Sequence, residues 1–258
     1  MAQAAFIPGP DAAPLAVPEA STREQQRAAD PSRQSLVRMV SHELRTPLNA
    51  IIGFSEIISG EMYGPLQGDY REAADVIRTS GHKLLRLVNQ VLEMAKLQGG
   101  AADLDLRPEP LDAMLDDAAA GLGEDAFARS VTVRVEAPKP VPLVLADPKA
   151  LRTALSNLVQ NAVAFSPDGG EVRLTGRVHG ALVLIEVADD GPGLDPAELP
   201  RLMEPFQQGE NALTRHHQGA GLGWAIVRLL CQAMGGSFDI AAEPGKGLTA
   251  TIALRRAG

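Results

Sequence analysis

His42 and Glu43 stand side by side in the string SHELRTPLNAIIGF, with Thr46 four residues beyond the histidine. On a helix that spacing puts Thr46 on the same face as His42, one turn away. An imidazole beside a carboxylate is a candidate nucleophile: Glu43 can take the ring proton while Nε2 attacks phosphorus. A hydroxyl one turn along can orient a water toward a phosphorylated ring. Such an attack needs a phosphoryl donor, and a second group of residues has the types to hold one. Asn157 and Asn161 are again i,i+4 neighbours, and amide oxygens suit Mg²⁺. Downstream, DDGPGL carries Asp189, Gly191 and Gly193 at the end of an apolar run, and GAGLGWAIVRLL carries Gly219, Gly221, Leu222 and Gly223 at the start of another. Glycines free backbone N–H groups to face anionic oxygens, and a helix N-terminus adds a field favourable to phosphate. In the polar stretch QQGENALTRHHQ, Arg215 is the best candidate for a phosphate contact.

These residues need elements to position them. Val37, Val40, Leu44, Leu48, Ile51 and Ile58 fall within about 40° of one line at 100° per residue, so residues from about 32 to 60 are predicted to form an amphipathic helix. His42 lies about 160° from that stripe and faces water. Pro47 has no N–H to give back to the preceding turn, which predicts a bend beside the histidine. After the breaker GEMYGPLQG, a second stripe runs through Tyr70, Ile77, Leu84, Val88, Val91 and Ala95. Two helices cannot enclose a core alone, so this hairpin is predicted to pair with a second copy as a dimeric four-helix bundle. Beyond Gly99 and Gly100, the runs VTVRVEA, VRLTGRV, ALVLIEVA and LTATIAL read as strands, with helices over 148–165 and 222–234. Asp147 is a natural N-cap for the first of these helices, with Pro148 at its first position. The expected fold class is α+β: a helical hairpin over 32–100, then an α/β sandwich over 101–258, preceded by a Pro- and Ala-rich arm over 1–31.

Composition narrows the function. A formal net charge of −8 argues against a nucleic-acid partner, because such proteins present a basic stripe to phosphates. No run is long and apolar enough for a membrane helix and no signal peptide opens the chain, so a cytoplasmic protein without a membrane span is expected. Cys231 lies in the apolar run WAIVRLLCQAM and reads as a buried, inert thiol. Each chemical residue also has a plainer reading. His42 alone is a surface histidine, the asparagine pair alone is two solvated amides, and a Gly-rich turn recurs in many folds. His216 and His217 lack the further spacing of a metal site and read as solvated residues.

It is the order and context of the motifs that discriminates. SHELRTPLNAIIGF resembles the phosphoacceptor box of two-component sensor histidine kinases. NLVQNAVAFSPDGG, DDGPGL, EPFQQGE and GAGLGWAIVRLL resemble, in family order, the four boxes of that family's gyrase/MutL-type ATP-binding domain. The hairpin segments look like the alphaproteobacterial kinases of the PleC and DivJ type. The resemblance implies an ATP-dependent autokinase. In it Glu43 is the acid/base partner of the phosphoaccepting His42, and Thr46 serves a phosphatase reaction. Asn161 coordinates Mg²⁺ and Asn157 assists, while Phe165 lines the nucleotide pocket. Asp189 accepts from the adenine amino group, and the loops around Gly191, Gly193, Gly219, Gly221, Leu222 and Gly223 close on the nucleotide. It implies a response-regulator receiver domain as partner and a homodimer through the hairpin. Two positions depart from the family: Ala164 stands where a lysine is frequent, and Trp224 where a small aliphatic residue is usual. A phosphotransfer relay, a pseudokinase scaffold and another ATPase of the gyrase and chaperone superfamily are the rival readings, and HELRTP is foreign to the last.

Overall fold

The structure is a computed structural model that describes residues 31–66, 68–99, 103–121, 126, 127, 129–209 and 220–257, and of residues 31–43 only the backbone. The arm predicted over 1–31 lies, up to its last residue, outside this set. The first two elements are the hairpin, α1 over Pro31–Ser59 and α2 over Gly68–Gln98. Helix α1 runs unbroken through Pro47.

The hairpin closes on smaller residues than the predicted stripes. Leu48, Ile52 and Ser55 of α1 are buried, as are Ala74, Gly81 and Leu92 of α2. Gly81 permits the close approach: a Cβ there would sit 2.7 Å from Ile52 Cγ1. Arg45 Nε donates to Asn89 Oδ1 at 2.7 Å across the helices. Together these contacts fix an antiparallel register in which the backbone at residue 42 lies level with Val91 and Leu92. Of the predicted stripes, Leu44, Ile51 and Ile58 with Tyr70, Ile77 and Leu84 remain 44–63% exposed on the single chain, while Val88, Val91 and Ala95 are half-buried. Each helix therefore has two apolar strips, one spent within the hairpin and one turned outward.

The second module consists of β1 (Arg107–Pro110), α3 (Leu111–Ala120), β2 (Thr132–Glu136), β3 (Leu143–Ala146), α4 (Pro148–Phe165), β4 (Glu171–His179), β5 (Leu182–Asp189), the short α5 (Leu199–Leu202), α6 (Gly223–Ala233), β6 (Ser237–Ala242) and β7 (Leu248–Arg255). Five strands form a sheet in the order β2-β4-β5-β7-β6, antiparallel except for the parallel β2–β4 pair, while β1 and β3 make a separate ribbon. Strand β5 alternates strictly: Val183, Ile185 and Val187 point inward and are fully buried, delivering Asp189 to the same face at the strand end. Helices α3, α4 and α6 cover that face through Leu111, Leu115, Leu151, Leu155, Ile226 and Leu230. Each such side chain contributes about 1.5–3 kcal/mol on burial. The opposite face carries ion pairs, including Arg134 and Arg173 on Glu171 and Arg177 on Glu186. Cys231 is fully buried, and burial pushes its thiol up to about 12.

Hairpin and module meet in two places. Leu87, Val91, Met94 and Leu97 of α2 pack against the module's core, with α2 lying beside α6. The chain leaving α2 is then held at Asp147, whose Oδ1 accepts the amides of Lys149 and Ala150 as the N-cap of α4, and whose Oδ2 accepts the Asp105 amide, all at 2.9 Å. Those amides outweigh the burial of the carboxyl and hold it below the ordinary aspartate range.

Candidate functional site

Asn157, Asn161 and Phe165 recur every four residues on α4 and so share one face of it. That face is half-buried, whereas Leu155 and Leu158 on the other side are in the core. At its upper end stands the first residue of α6: a Cβ on Gly223 would lie 3.4 Å from Asn161 Nδ2 and 3.5 Å from Asn157 Oδ1. Asn157 donates Nδ2 to Thr153 O at 2.9 Å, which fixes its oxygen toward α6. At the lower end stands the turn after β5: a Cβ on Gly191 would lie 2.9 Å from Phe165 O and 2.6 Å from Asp189 Oδ1. Two glycine turns thus bracket a single helix face whose length, two turns at 1.5 Å per residue, is about 12 Å.

Asp189 is 8% exposed. Its Oδ1 accepts the Gly191 amide at 2.8 Å. Burial raises its carboxyl to about 6, the amides of Gly191 and Leu248 pull it back, and neighbouring Asp190 pushes it up further. The backbone here leaves no room for side chains. Gly193 has φ +64°, and a Cβ there would lie 2.0 Å from Glu243 O; Gly247 has φ +78°, and its Cβ would fall 1.9 Å from Asp189 O.

The stretch around EPF and the start of α6 are joined by their backbones. Phe206 donates its N–H to Gly221 O at 2.9 Å and has φ +65°, unusual for a residue with a side chain. Gly221, at φ +67°, approaches so closely that a Cβ would meet Gln207 O at 2.5 Å. Leu222 is buried as the N-cap of α6, and Arg228 lies 3.9 Å from Glu204.

Of the residues singled out by sequence, Asn157, Asn161 and Gly223 come together, as do Phe165, Asp189 and Gly191, with Gly193, Gly221 and Leu222 shaping the adjoining turns. Thr46 is exposed on α1. The side chains of His42 and Glu43, and the whole of Arg215 and Gly219, lie outside the described residues, as do His216 and His217. Sequence reasoning missed three contributors. Arg45 pairs with Asn89 forty-four residues away, and Arg129 reaches the end of α4 across thirty-four residues and more. Neither carries a local signal. Arg228 was legible only as part of a helix, and its approach to Glu204 of the EPF string is made by the fold.

Residues 32–100 match the His Kinase A (phospho-acceptor) domain family, and residues 146–258 match the histidine kinase-, DNA gyrase B- and HSP90-like ATPase family. Among curated proteins, the chain is 36% identical over 233 residues to the non-motile and phage-resistance protein of Caulobacter vibrioides, covering 88% of this chain and 27% of that one. It is 38% identical over 222 residues to histidine protein kinase DivJ of the same organism, covering 86% and 37%. Among solved structures, full-length ShkA in complex with AMPPNP superposes with a TM-score of 0.73 at 33% identity, over 87% of this chain and 46% of that one. The Acinetobacter baumannii histidine kinase AdeS, at 19% identity, TM-score 0.60, and 84% and 98% coverage, shares the fold. The chain spans less than half the length of DivJ, of the Caulobacter non-motile protein and of ShkA. No helix among the described residues is long and apolar enough to cross a membrane.

Proposed function

The chain belongs to the histidine kinases, and on that premise we propose that it phosphorylates its own His42 from ATP and passes the phosphoryl group to an aspartate of a response-regulator receiver domain. The observation that carries this reading is the α4 face bracketed by two glycine turns. Its length of about 12 Å suits an adenine at one end and a triphosphate at the other. Asp189, with Gly191 and Phe165, is the adenine end; Asn157, Asn161 and the N-terminus of α6 are the phosphate end. ShkA, similar over most of this chain, is in complex with the ATP analogue AMPPNP.

Mg²⁺ fits the donors present. It is a hard ion that takes oxygen ligands and leaves most of its shell to phosphates and water. Asn161 turns Nδ2 toward Gly223, which leaves Oδ1 to hold the ion, with Asn157 beside it. When bound, Mg²⁺ would neutralise charge on the phosphate oxygens. The protein's own work is positioning. The docked module lies beside α2 at Leu87–Leu97, the level of residue 42 in the hairpin register. In the proposed reaction His42 Nε2 forms a bond to the γ-phosphorus as the bond to the ADP oxygen breaks, and Glu43 accepts the ring's other proton. Thr46 orients water for the reverse duty, dephosphorylating the receiver. The outward apolar strips of α1 and α2 pair with those of a second copy to complete a four-helix bundle.

The test is incubation with Mg-ATP labelled at the γ-phosphate. Acid-labile, base-stable label that vanishes in His42→Ala and in Asn161→Ala supports the reading. Absence of label in a protein that binds ATP refutes it in favour of a scaffold, and label arriving only from a phosphorylated receiver refutes it in favour of a relay.

A further inference from the structure

Helix α4 ends without the usual means of satisfying its last carbonyls. Four C=O groups at a helix C-terminus have no partner within the helix, and a basic side chain in the last turn or a glycine just beyond commonly supplies one. Here the last turn holds no basic residue, and Ser166 at the C-cap is followed by Pro167. Ser166 serves only Ala162 O, through its amide at 2.9 Å and its Oγ at 2.8 Å, and the partner of the later carbonyls comes from another part of the chain. Arg129 Nη1 donates to Val163 O and Ala164 O, and its Nη2 donates to Ser166 O at 2.9 Å and reaches Asp168 Oδ1 at 3.3 Å. Its own carbonyl accepts the Gly169 amide at 3.3 Å, so this one residue grips both sides of the turn that follows α4.

Phe165 lies inside that grip, between the carbonyls of Ala164 and Ser166. Its own carbonyl is packed on Gly191, the residue whose amide is held by the Asp189 carboxylate. A chain of direct contacts therefore runs from the guanidinium through the end of α4 to both groups assigned to the base. The charge also opposes the negative end of the α4 dipole, at a last turn that has no basic residue of its own. We propose that Arg129 is a positioning residue of the nucleotide pocket, holding the C-terminus of α4 so that Phe165 and the Gly191 turn are set for adenine. This rests on the reading of that pocket as the nucleotide site.

The experiment is a mutant cycle on the full chain, reading the Kd for ADP by calorimetry in wild type, Arg129→Met, Phe165→Leu and the double variant. Arg129→Met keeps the aliphatic stem and removes every donor. It is expected to raise Kd by about tenfold when Phe165 is present and by less than about twofold when it is absent, the signature of coupled residues. Arg129→Lys, which keeps the charge and one donor, should recover part of the loss, and it carries the same cycle if the methionine variant does not fold. A wild-type Kd in folded Arg129→Met, or equal losses in both backgrounds, overturns the proposal, since a cap that stabilised only the helix would not couple to the ring. Wild-type affinity in Phe165→Leu overturns it as well. Failure of the unmutated chain to bind ADP is a different result, and removes the nucleotide reading itself.

Discussion

Asp189→Asn should make the nucleotide-free protein more stable at neutral pH while weakening its hold on adenine. The carboxyl titrates near 3.8 in an unfolded chain and near 6 when buried beneath the sheet end. Between those values the folded protein binds a proton that the unfolded chain does not, so this group's contribution falls as pH rises from about 4 to 6 and is level above. Two pKa units correspond to about 3 kcal/mol at pH 7, a ceiling for the burden of keeping this charge in the fold. Asparagine is isosteric and uncharged, and its Oδ1 can still accept the Gly191 amide. Exchanging the second oxygen for NH₂ deprives one backbone amide of its acceptor, an offset of about 1 kcal/mol. The variant should therefore gain about 2 kcal/mol over wild type at pH 7.5 and lose about 0.5 kcal/mol near pH 4. Urea unfolding followed by Trp224 emission measures this in the right module, because Trp224 is the chain's only tryptophan and sits at the start of α6. A difference between variant and wild type that is the same at both pH values would refute the reasoning. ADP affinity supplies the functional half: it should fall in wild type as pH drops through about 6, and be weak and pH-independent in the variant.

Three further outcomes follow from the same geometry. Ile51→Lys should shift the chain to monomer in light scattering, because the residue would occur twice in the proposed two-fold bundle and its loss would remove about 3–6 kcal/mol of burial. Gly247→Ala should lower stability by about 3 kcal/mol or more in urea, since a Cβ is forced against the Asp189 carbonyl at a left-handed φ; an unchanged midpoint would contradict the close approach. Thr46→Ala should leave labelling of His42 intact and slow dephosphorylation of a cognate receiver, and equal rates would return this threonine to a merely local role.

What the sequence made legible was whatever is decided within one or two turns of chain. Asp147-Pro148 announces α4 because a cap and a proline act locally, and strand β5 announces itself as a short apolar run rich in branched residues, LVLIEVA. The ribbon of β1 with β3 was not legible: RPEP contains two prolines and reads as a loop, and only its pairing with residues far along the chain makes it a strand. The hairpin stripes were found, but not which strip of each helix faces the other. Gly81 and Ala74 decide that by allowing close approach, and a small residue leaves no mark in a count of apolar periodicity. Arg129 is the same lesson at the candidate site. Capping a helix from another segment depends on where the fold brings the guanidinium, and nothing in the neighbourhood of that arginine foretells it.

The stitch between Asp105 and Asp147 bounds how far the catalytic module can travel. Helix α2 ends at Gln98, Leu104 already packs on the module's core and the Asp105 amide is held at the base of α4, so six residues of chain separate the helix end from the stitch. Six residues at full stretch span about 20 Å. Wherever the module sits, its attachment at Asp105 stays inside a sphere of that radius, centred on the end of α2. Inserting a few glycines between Gln98 and Leu104 would enlarge that sphere steeply, since its volume grows as the cube of the span, whereas deleting residues there would draw the module toward α2.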